Sequence, residues 1–259
     1  MTPTDYFEYE RQIAVAHVIP WLRAHSAWPV RRVLDVGCGY GGTLAAFKTA
    51  APTCEAIGVD LDAEMIREGR ARTSGTVELL DGDFFAWTRS GFDLILMRDV
   101  LEHIRRPEEA LRKAATMLTP GGRIYATFAP YYGPFGGHQQ NGSGAFSLCP
   151  WIHWLPRRMF RKLVPLRGNA YKTLEALRAD MASVDDTRLT LKGFEKAARN
   201  CGLTVHALEL FLSRPDYKFK FGWPACRLPR IPALSEVFST GAEALLHAPT
   251  KLEHVGVSI

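Results

Sequence analysis

Several things are scarce in this 259-residue chain, and each scarcity excludes a class of protein. Its five cysteines (Cys38, Cys54, Cys149, Cys201 and Cys226) form no C-x-x-C pair, and their number is odd. That argues against a disulfide framework or a structural zinc site and for a reducing compartment. Long apolar runs are missing too. The longest stretch free of Asp, Glu, Lys and Arg, Ile124 to Pro156, is broken by Pro130, Gly133, Pro134, Gly136, Gly137 and Asn141, so no membrane span is expected. The opening residues MTPTDYFEYERQ carry acids and lack an apolar core, unlike a secretory signal. No internal repeat is visible. Charge of one sign is scarce as well: 32 Lys+Arg against 27 Asp+Glu leave +5, too diffuse to point to nucleic acid. What remains is a globular composition, 47% hydrophobic and 23% charged, in a cytoplasmic protein with no membrane partner. The length suits one α/β domain, or a domain with a large insertion.

Short apolar runs alternate with helical patterns through the first half. Candidate strands are Arg32–Val36, Ala56–Asp60, Val77–Leu80, Phe92–Met97 and Arg123–Phe128, with helices near Gly42–Thr49, Ala63–Arg72 and Pro107–Met117. The alternation predicts βαβ units and a parallel sheet. Ahead of it, Asp5 to Ala27 reads as an amphipathic helical region in which Pro20 predicts a kink or two short helices. The rhythm stops at Ala129 and resumes near Leu189. A helix over Leu191–Asn200 stopped by Gly202, a strand over Thr204–Phe211, a loop rich in proline and aromatics, and a final strand near His254–Ile259 follow. The alternation Tyr217-Lys218-Phe219-Lys220-Phe221 reads as a further strand with one apolar face. The organisation is then an N-terminal helical cap (1–29), a core (30–130 and 189–259) and a lid or substrate insertion (131–188). About sixty inserted residues are far more than a connection needs.

Chemistry concentrates in Val33-Leu34-Asp35-Val36-Gly37-Cys38-Gly39-Tyr40-Gly41-Gly42, a buried strand that turns on glycines into a helix. Such a turn lets a ligand approach the backbone closely. Glycines 37, 39 and 42 satisfy G-x-G-x-x-G, and Asp60 lies where a ribose-binding acid belongs, so a nicotinamide dinucleotide has to be weighed. Three features decide against it. Asp35, at the strand end, suits a cationic ligand better than a pyrophosphate. Asp81-Gly82-Asp83-Phe84 closes the third strand with a carboxylate and an aromatic. Met97-Arg98-Asp99-Val100-Leu101-Glu102-His103-Ile104 follows the fourth strand, and Leu118-Thr119-Pro120-Gly121-Gly122 leads into the fifth.

With LDVGCGYGG, VDLD, DGDF, and RDVLEHI followed by LTPGGRIY in this order, the chain resembles the class I S-adenosylmethionine-dependent methyltransferases over about residues 30–130 and 189–259. The resemblance implies a Rossmann-like α/β fold: a seven-stranded, mostly parallel sheet with its last strand antiparallel, helices on both faces and, here, a helical lid insertion. It implies S-adenosyl-L-methionine as the cofactor. Gly37, Cys38 and Gly39 would line its methionine part beside Asp35, Asp60 would take the ribose hydroxyls, and Leu61 would pack on adenine. Asp83 and Phe84 would flank the adenine amine, and the backbone near Arg98 would meet the amino-acid end. The family has no universal catalytic residue.

Specificity must then reside in the insertion, where Pro130 to Gly142 and Trp151 to Pro156 concentrate aromatics, amides and histidines at the carboxyl end of the fifth strand. His138 is the candidate base, because imidazole titrates near neutrality. Tyr132 and Asn141 stand with it ahead of His153, and Tyr171 is a further proton acceptor. Tyr131, Tyr132 and Trp151 could face a cation. Asp99, Glu102 and His103, at i, i+3 and i+4, would share a helical face able to hold a divalent ion, but Leu-Glu-His occurs in many metal-free relatives and no metal is assigned. The basic run Arg157, Arg158, Arg161, Lys162, Arg167 and Lys172 reads as a solvated helix face. The leading expectation is methyl transfer to a small-molecule O, N or C nucleophile in biosynthesis. The alternatives are a cyclase that releases methylthioadenosine and azetidine-2-carboxylate, an RNA methyltransferase, which would need a continuous basic groove, and a module that binds the cofactor without turnover.

Overall fold

A computed structural model of the chain describes residues 3–167 and 173–248. It opens with helix α1 (Pro3–Ile13) and helix α2 (Ile19–Ala24). The break expected at Pro20 takes the form of a π-helical turn, Ala14–Val18, between them. Proline has no N–H for the helix ladder and its ring crowds the carbonyl four residues back, and a widened turn just upstream accommodates both. The alternating core follows as β1 (Arg32–Val36), α3 (Gly42–Ala50), β2 (Glu55–Asp60), α4 (Ala63–Thr73), β3 (Glu78–Asp81), β4 (Phe92–Arg98), α5 (Pro107–Met117) and β5 (Leu118–Phe128). The insertion carries α6 (Arg157–Leu163) and α7 (Leu174–Thr187). The chain returns through α8 (Leu191–Asn200), β6 (Thr204–Ser213), α9 (Tyr217–Phe221), β7 (Cys226–Leu228), α10 (Leu234–Phe238) and β8 (Gly241–His247).

The sheet has eight strands in the order β3-β2-β1-β4-β5-β8-β6-β7. The first five are parallel, β8 runs antiparallel to both β5 and β6, and β7 forms an antiparallel edge on β6. The seven-stranded expectation is therefore short by one: the loop rich in proline and aromatics folds back as β7. The antiparallel strand is Gly241–His247, and the expected strand near His254–Ile259 lies outside the described residues. A charge hid β8. Ala242, Ala244, Leu245 and Leu246 are buried, but Glu243 interrupts the run, and it is tolerated because Tyr125 Oη donates to it and His17 Nε2 lies 2.8 and 3.0 Å from its oxygens.

The Tyr217–Phe221 stretch is a short helix, not a strand. Tyr217 and Phe221 meet edge to face one turn apart with ring centroids 5.3 Å apart, and Gly222 ends the helix at φ +72. Helices cover both faces. On one, Ala110, Leu111 and Ala114 of α5 and Phe194, Ala197 and Ala198 of α8 pack on β4 and β5. On the other, Ile19 and Leu22 of α2, Leu44 and Phe47 of α3, and Ile66 of α4 pack on β1 and β2. Central strands buried on both faces explain their unbroken apolar runs. Among the described residues no helix is long and apolar enough to cross a membrane.

Phe194 is fully buried with its ring 4.7 Å from that of Phe128. Phe194→Ala is expected to cost about 3–5 kcal/mol of stability, read as a lower urea midpoint at an unchanged slope. A midpoint within error of the parent would show that α8 does not bear on the core.

Candidate functional site

The carboxyl ends of β1, β2 and β4 build the first half of the site. Gly37 sits at φ +72, and a Cβ there would come within 2.6 Å of Val100 Cγ2. Its amide and that of Cys38 reach back to the Val59 carbonyl at 2.8 and 3.2 Å, which fixes the turn. At Gly42, the first residue of α3, a Cβ would lie 2.2 Å from the Phe7 carbonyl oxygen, so α1 rests directly on the loop. Asp60 ends β2 with its carboxylate clamped: Oδ2 accepts from the Gly39 amide at 2.8 Å and Oδ1 from the Asp62 amide at 2.9 Å. Leu61 beside it is 79% exposed. Asp83 caps the short turn after β3 by accepting from the Phe85 amide at 2.9 Å. Phe84, expected to flank the adenine amine, is only 6% exposed and belongs to the core, whereas Phe85 is 41% exposed. The turn that follows Asp83 sends the first of the two rings inward.

Beneath the loop lies a buried charge cluster that the motifs reveal only in part. Asp35 and Glu10, the latter from α1, are both buried and lie near the Arg98 guanidinium, which donates to Thr43 Oγ1. Burial pushes Glu10 up to about 8 and Asp35 up to about 7, with Arg98 pulling the other way in both cases. Burial also works against the charge of Arg98, but Glu10 and Asp35 reverse that and keep it cationic. Glu10 Oε2 is buried without a hydrogen-bond partner. Two carboxylates share one guanidinium, so the cradle is short of positive charge and fits a cationic group. Burial pushes the Cys38 thiol well up, which leaves it a packing residue and no nucleophile. Glu10 escaped the sequence reading, although a signal existed: it lies with Phe7 and Ile13 on the stripe that α1 buries, where an unpaired charge is costly.

The second half of the site joins the end of β4 to the insertion. Asp99, at φ +52, does not share a helical face with Glu102 and His103, because Leu101–His103 is a 3-10 turn. Arg214 Nη2 binds both Asp99 oxygens at 2.9 and 2.6 Å, and Thr127 Oγ1 donates to one of them at 3.0 Å. Burial opposes the Asp99 charge, yet Arg214 holds its carboxyl well below the usual range. The place vacated by Asp99 goes to His138, buried and at φ +55. Its Nε2 lies 3.9 Å from Glu102 Oε1, and its ring is 5.0 Å from that of His103. Glu102 is 1% exposed, and burial, reinforced by Asp99, pushes it up to about 8. Its Oε1 accepts from the Ala129 amide at 3.2 Å. His103 Nδ1 is 2.8 Å from Ser183 Oγ on α7.

Of the other expected residues, Asn141 ends the turn after His138, with its amide bonded to the His138 carbonyl at 3.0 Å, and Tyr132 is half-exposed. Tyr171 lies outside the described residues. Trp151 is a packing residue that donates from Nε1 to the Val237 carbonyl at 2.9 Å. His153 is buried with Nε2 2.8 Å from the Tyr131 carbonyl, and burial lowers its proton affinity. Arg158 and Lys162 of α6 are exposed, as a solvated face requires, while Arg157 reaches Asp185 at 3.2 Å. Under α6 and α7 opens a cavity of about 1340 Å³. Tyr131, Tyr132, Trp154 and Phe160 line it with four arginines (157, 161, 178 and 188) and two acids, Glu175 and Asp185.

Residues 34–124 match a family model described as a methyltransferase domain. An uncharacterised methyltransferase of Mycobacterium tuberculosis is 35% identical over 123 residues, 46% of this chain and 48% of the relative. One from Mycobacterium leprae is 34% identical over 123 residues, 46% of this chain and 45% of that protein. The chain thus spans less than half the length of these curated relatives. Among solved structures, the plantazolicin methyltransferase BpumL in complex with SAH aligns with a TM-score of 0.56 at 12% identity, over 95% of this chain and 84% of that one. A protein from Pyrococcus horikoshii aligns at 0.55 with 17% identity, over 93% and 91%. At such identities the likeness is one of fold.

The raised carboxyls set a pH dependence. Unfolded, Glu and Asp titrate near about 4; folded, Glu10, Asp35 and Glu102 hold their protons to about 7–8. Between those values the native state binds more protons than the unfolded chain, so stability falls as pH rises from about 4 to 8. The contribution of Asp99 has the opposite sign and is confined to pH below about 4. Calorimetric Tm measured from pH 5 to 8 should fall for the ligand-free chain and fall less steeply in Glu10→Gln. Parallel curves would show that Glu10 is not strained by burial.

Proposed function

Because the core of this chain is that of the class I S-adenosylmethionine-dependent methyltransferases, with S-adenosylmethionine as the cofactor, we propose that it methylates a small-molecule oxygen, nitrogen or carbon nucleophile held under the insertion. The observation that carries this reading is the cavity of about 1340 Å³ beneath α6 and α7, which is large enough for a small-molecule acceptor. Four arginines against two acids in its lining suit an acceptor bearing a carboxylate or phosphate, because guanidinium forks pair with such groups bidentately.

Bound at the glycine loop, S-adenosylmethionine supplies a methyl group on a positively charged sulfur, an already activated leaving group. The residues present suit it. Asp60, oriented by two backbone amides, keeps lone pairs for the ribose hydroxyls. Leu61 and Phe85 offer apolar surface to the adenine, and Asp83 an acceptor for its amine. Gly37, Cys38 and Gly39 follow the methionine part. Glu10 and Asp35, held beside Arg98, supply the charge that a cationic ligand needs, and the backbone near Arg98 would meet the amino-acid end. A reaction that needs no strong catalytic group depends mainly on positioning and on keeping water out, which α6 and α7 serve. His138, next to Glu102, is the group where an acceptor proton would be held, with Tyr132 and Asn141 to orient the acceptor.

The test incubates the full chain with the cofactor alone, then with a panel of small carboxylate- and phosphate-bearing phenols and amines, then with total RNA, and follows the nucleoside products and methyl incorporation by mass spectrometry. The expected result is S-adenosylhomocysteine formed only when an acceptor is present. Methylthioadenosine from cofactor alone would mean that the cofactor's own amine closes a four-membered ring, and methyl incorporated only into RNA would place the acceptor elsewhere; both overturn the proposal. Asp60→Ala should weaken cofactor binding at least about tenfold by calorimetry, the loss of roughly one good charge-assisted hydrogen-bond set.

A further inference from the structure

Outside the glycine loop, the group of side chains with the least ordinary explanation is the one at the junction of β4 and the insertion. We propose that Glu102, His103 and His138 form a binding site for one first-row divalent transition-metal ion.

Three observations carry the assignment. One potential ligand atom from each residue falls within 4.8 Å of the others. Two ligands bonded at about 2.1 Å to one ion stand roughly 3.0–3.4 Å apart, so the 3.9 Å between His138 Nε2 and Glu102 Oε1 closes with a small side-chain rotation. Glu102 Oε2, in a residue 1% exposed, has no hydrogen-bond partner. A buried carboxyl oxygen left without a partner carries a desolvation cost, which a bound cation taking the place of the carboxyl proton would relieve. Finally, His103 Nδ1 is 2.8 Å from Ser183 Oγ. This contact has the character of the outer contacts that orient metal-ligating imidazoles through their second nitrogen.

The donor set narrows the ion. Calcium and magnesium prefer oxygen ligands, whereas two imidazoles and one carboxylate suit manganese, iron, cobalt, nickel or zinc and leave positions open for an exogenous oxygen. Asp99 is not part of the set, because Arg214 occupies both of its oxygens. The ligands lie at the carboxyl ends of the central strands, and Gly137, next to His138, lines the cavity under the insertion. The catalytic consequence rests on the methyl-transfer reading; the binding of metal does not. If both hold, the ion would acidify an acceptor hydroxyl coordinated to it, and the acceptor class narrows to oxygen ligands such as phenols, enols or hydroxy acids. In that state His138 holds the ion and the hydroxyl gives up its proton to solvent.

The probe is cobalt(II), titrated into the full chain after chelator treatment and read by equilibrium dialysis and ligand-field absorption. One equivalent should bind, at least about tenfold more weakly in Glu102→Gln and in His138→Ala. Ser183→Ala, which leaves all three ligands in place, should weaken it about tenfold. His206 and His247 stack near the amino-terminal end of β5, away from the candidate site, with rings 4.2 Å apart and could capture metal adventitiously, so His206→Ala is the control and should bind like the parent. Absence of saturable binding, or binding that survives both ligand variants and falls in His206→Ala, overturns the assignment. Cofactor calorimetry on the same variants separates the two proposals and checks folding. Retained cofactor binding with lost cobalt supports the metal site, whereas cobalt bound by a chain with no affinity for the cofactor supports it and removes the methyl-transfer reading.

Discussion

Two buried carboxylates share one buried guanidinium beneath the glycine loop, and the rest of the site is arranged around that shortage. Asp35 enters from β1, Glu10 from α1 and Arg98 from β4, so the balance draws on three separate elements. A cluster of this kind is costly in an empty protein, since burial penalises each charge and only part of the Coulomb attraction is recovered. It becomes favourable when a cation completes it. A positively charged group set against the two carboxyls would relieve that cost.

The insertion repeats that logic on the other side of β4. Arg214 removes Asp99 from the neighbourhood of Glu102, and the left-handed turn at His138 brings an imidazole into its place. Ser183 then ties His103 to α7, a helix that also lines the large cavity. Whatever fills that cavity is therefore mechanically close to the buried carboxylate, through one hydroxyl and one ring.

The five parallel strands, the helices between them, the glycine turn and Asp60 were legible in the sequence, because each depends on local periodicity and on short contiguous motifs. What was not legible depends on distant partners. β8 was concealed by Glu243, whose burial makes sense only once Tyr125 and His17 are beside it. The stretch Tyr217–Phe221 fits both a period of two and an i, i+4 pair, and in the structure the i, i+4 pair forms. Phe84 and Phe85 are adjacent and chemically equal, and only the turn decides which faces the core. The grouping of Asp99 with Glu102 and His103 assumed a helix that the chain does not form.

The matched family region, residues 34–124, does not contain Glu10. A polypeptide cut to that region would keep the glycine loop and Asp60 and still lose one of the two buried carboxyl groups under the loop, together with the helix that rests on it. The buried cluster beneath the loop thus extends beyond the region by which the family is recognised. Chimeras that swap cores between relatives would need to carry the leading helix along with the strands.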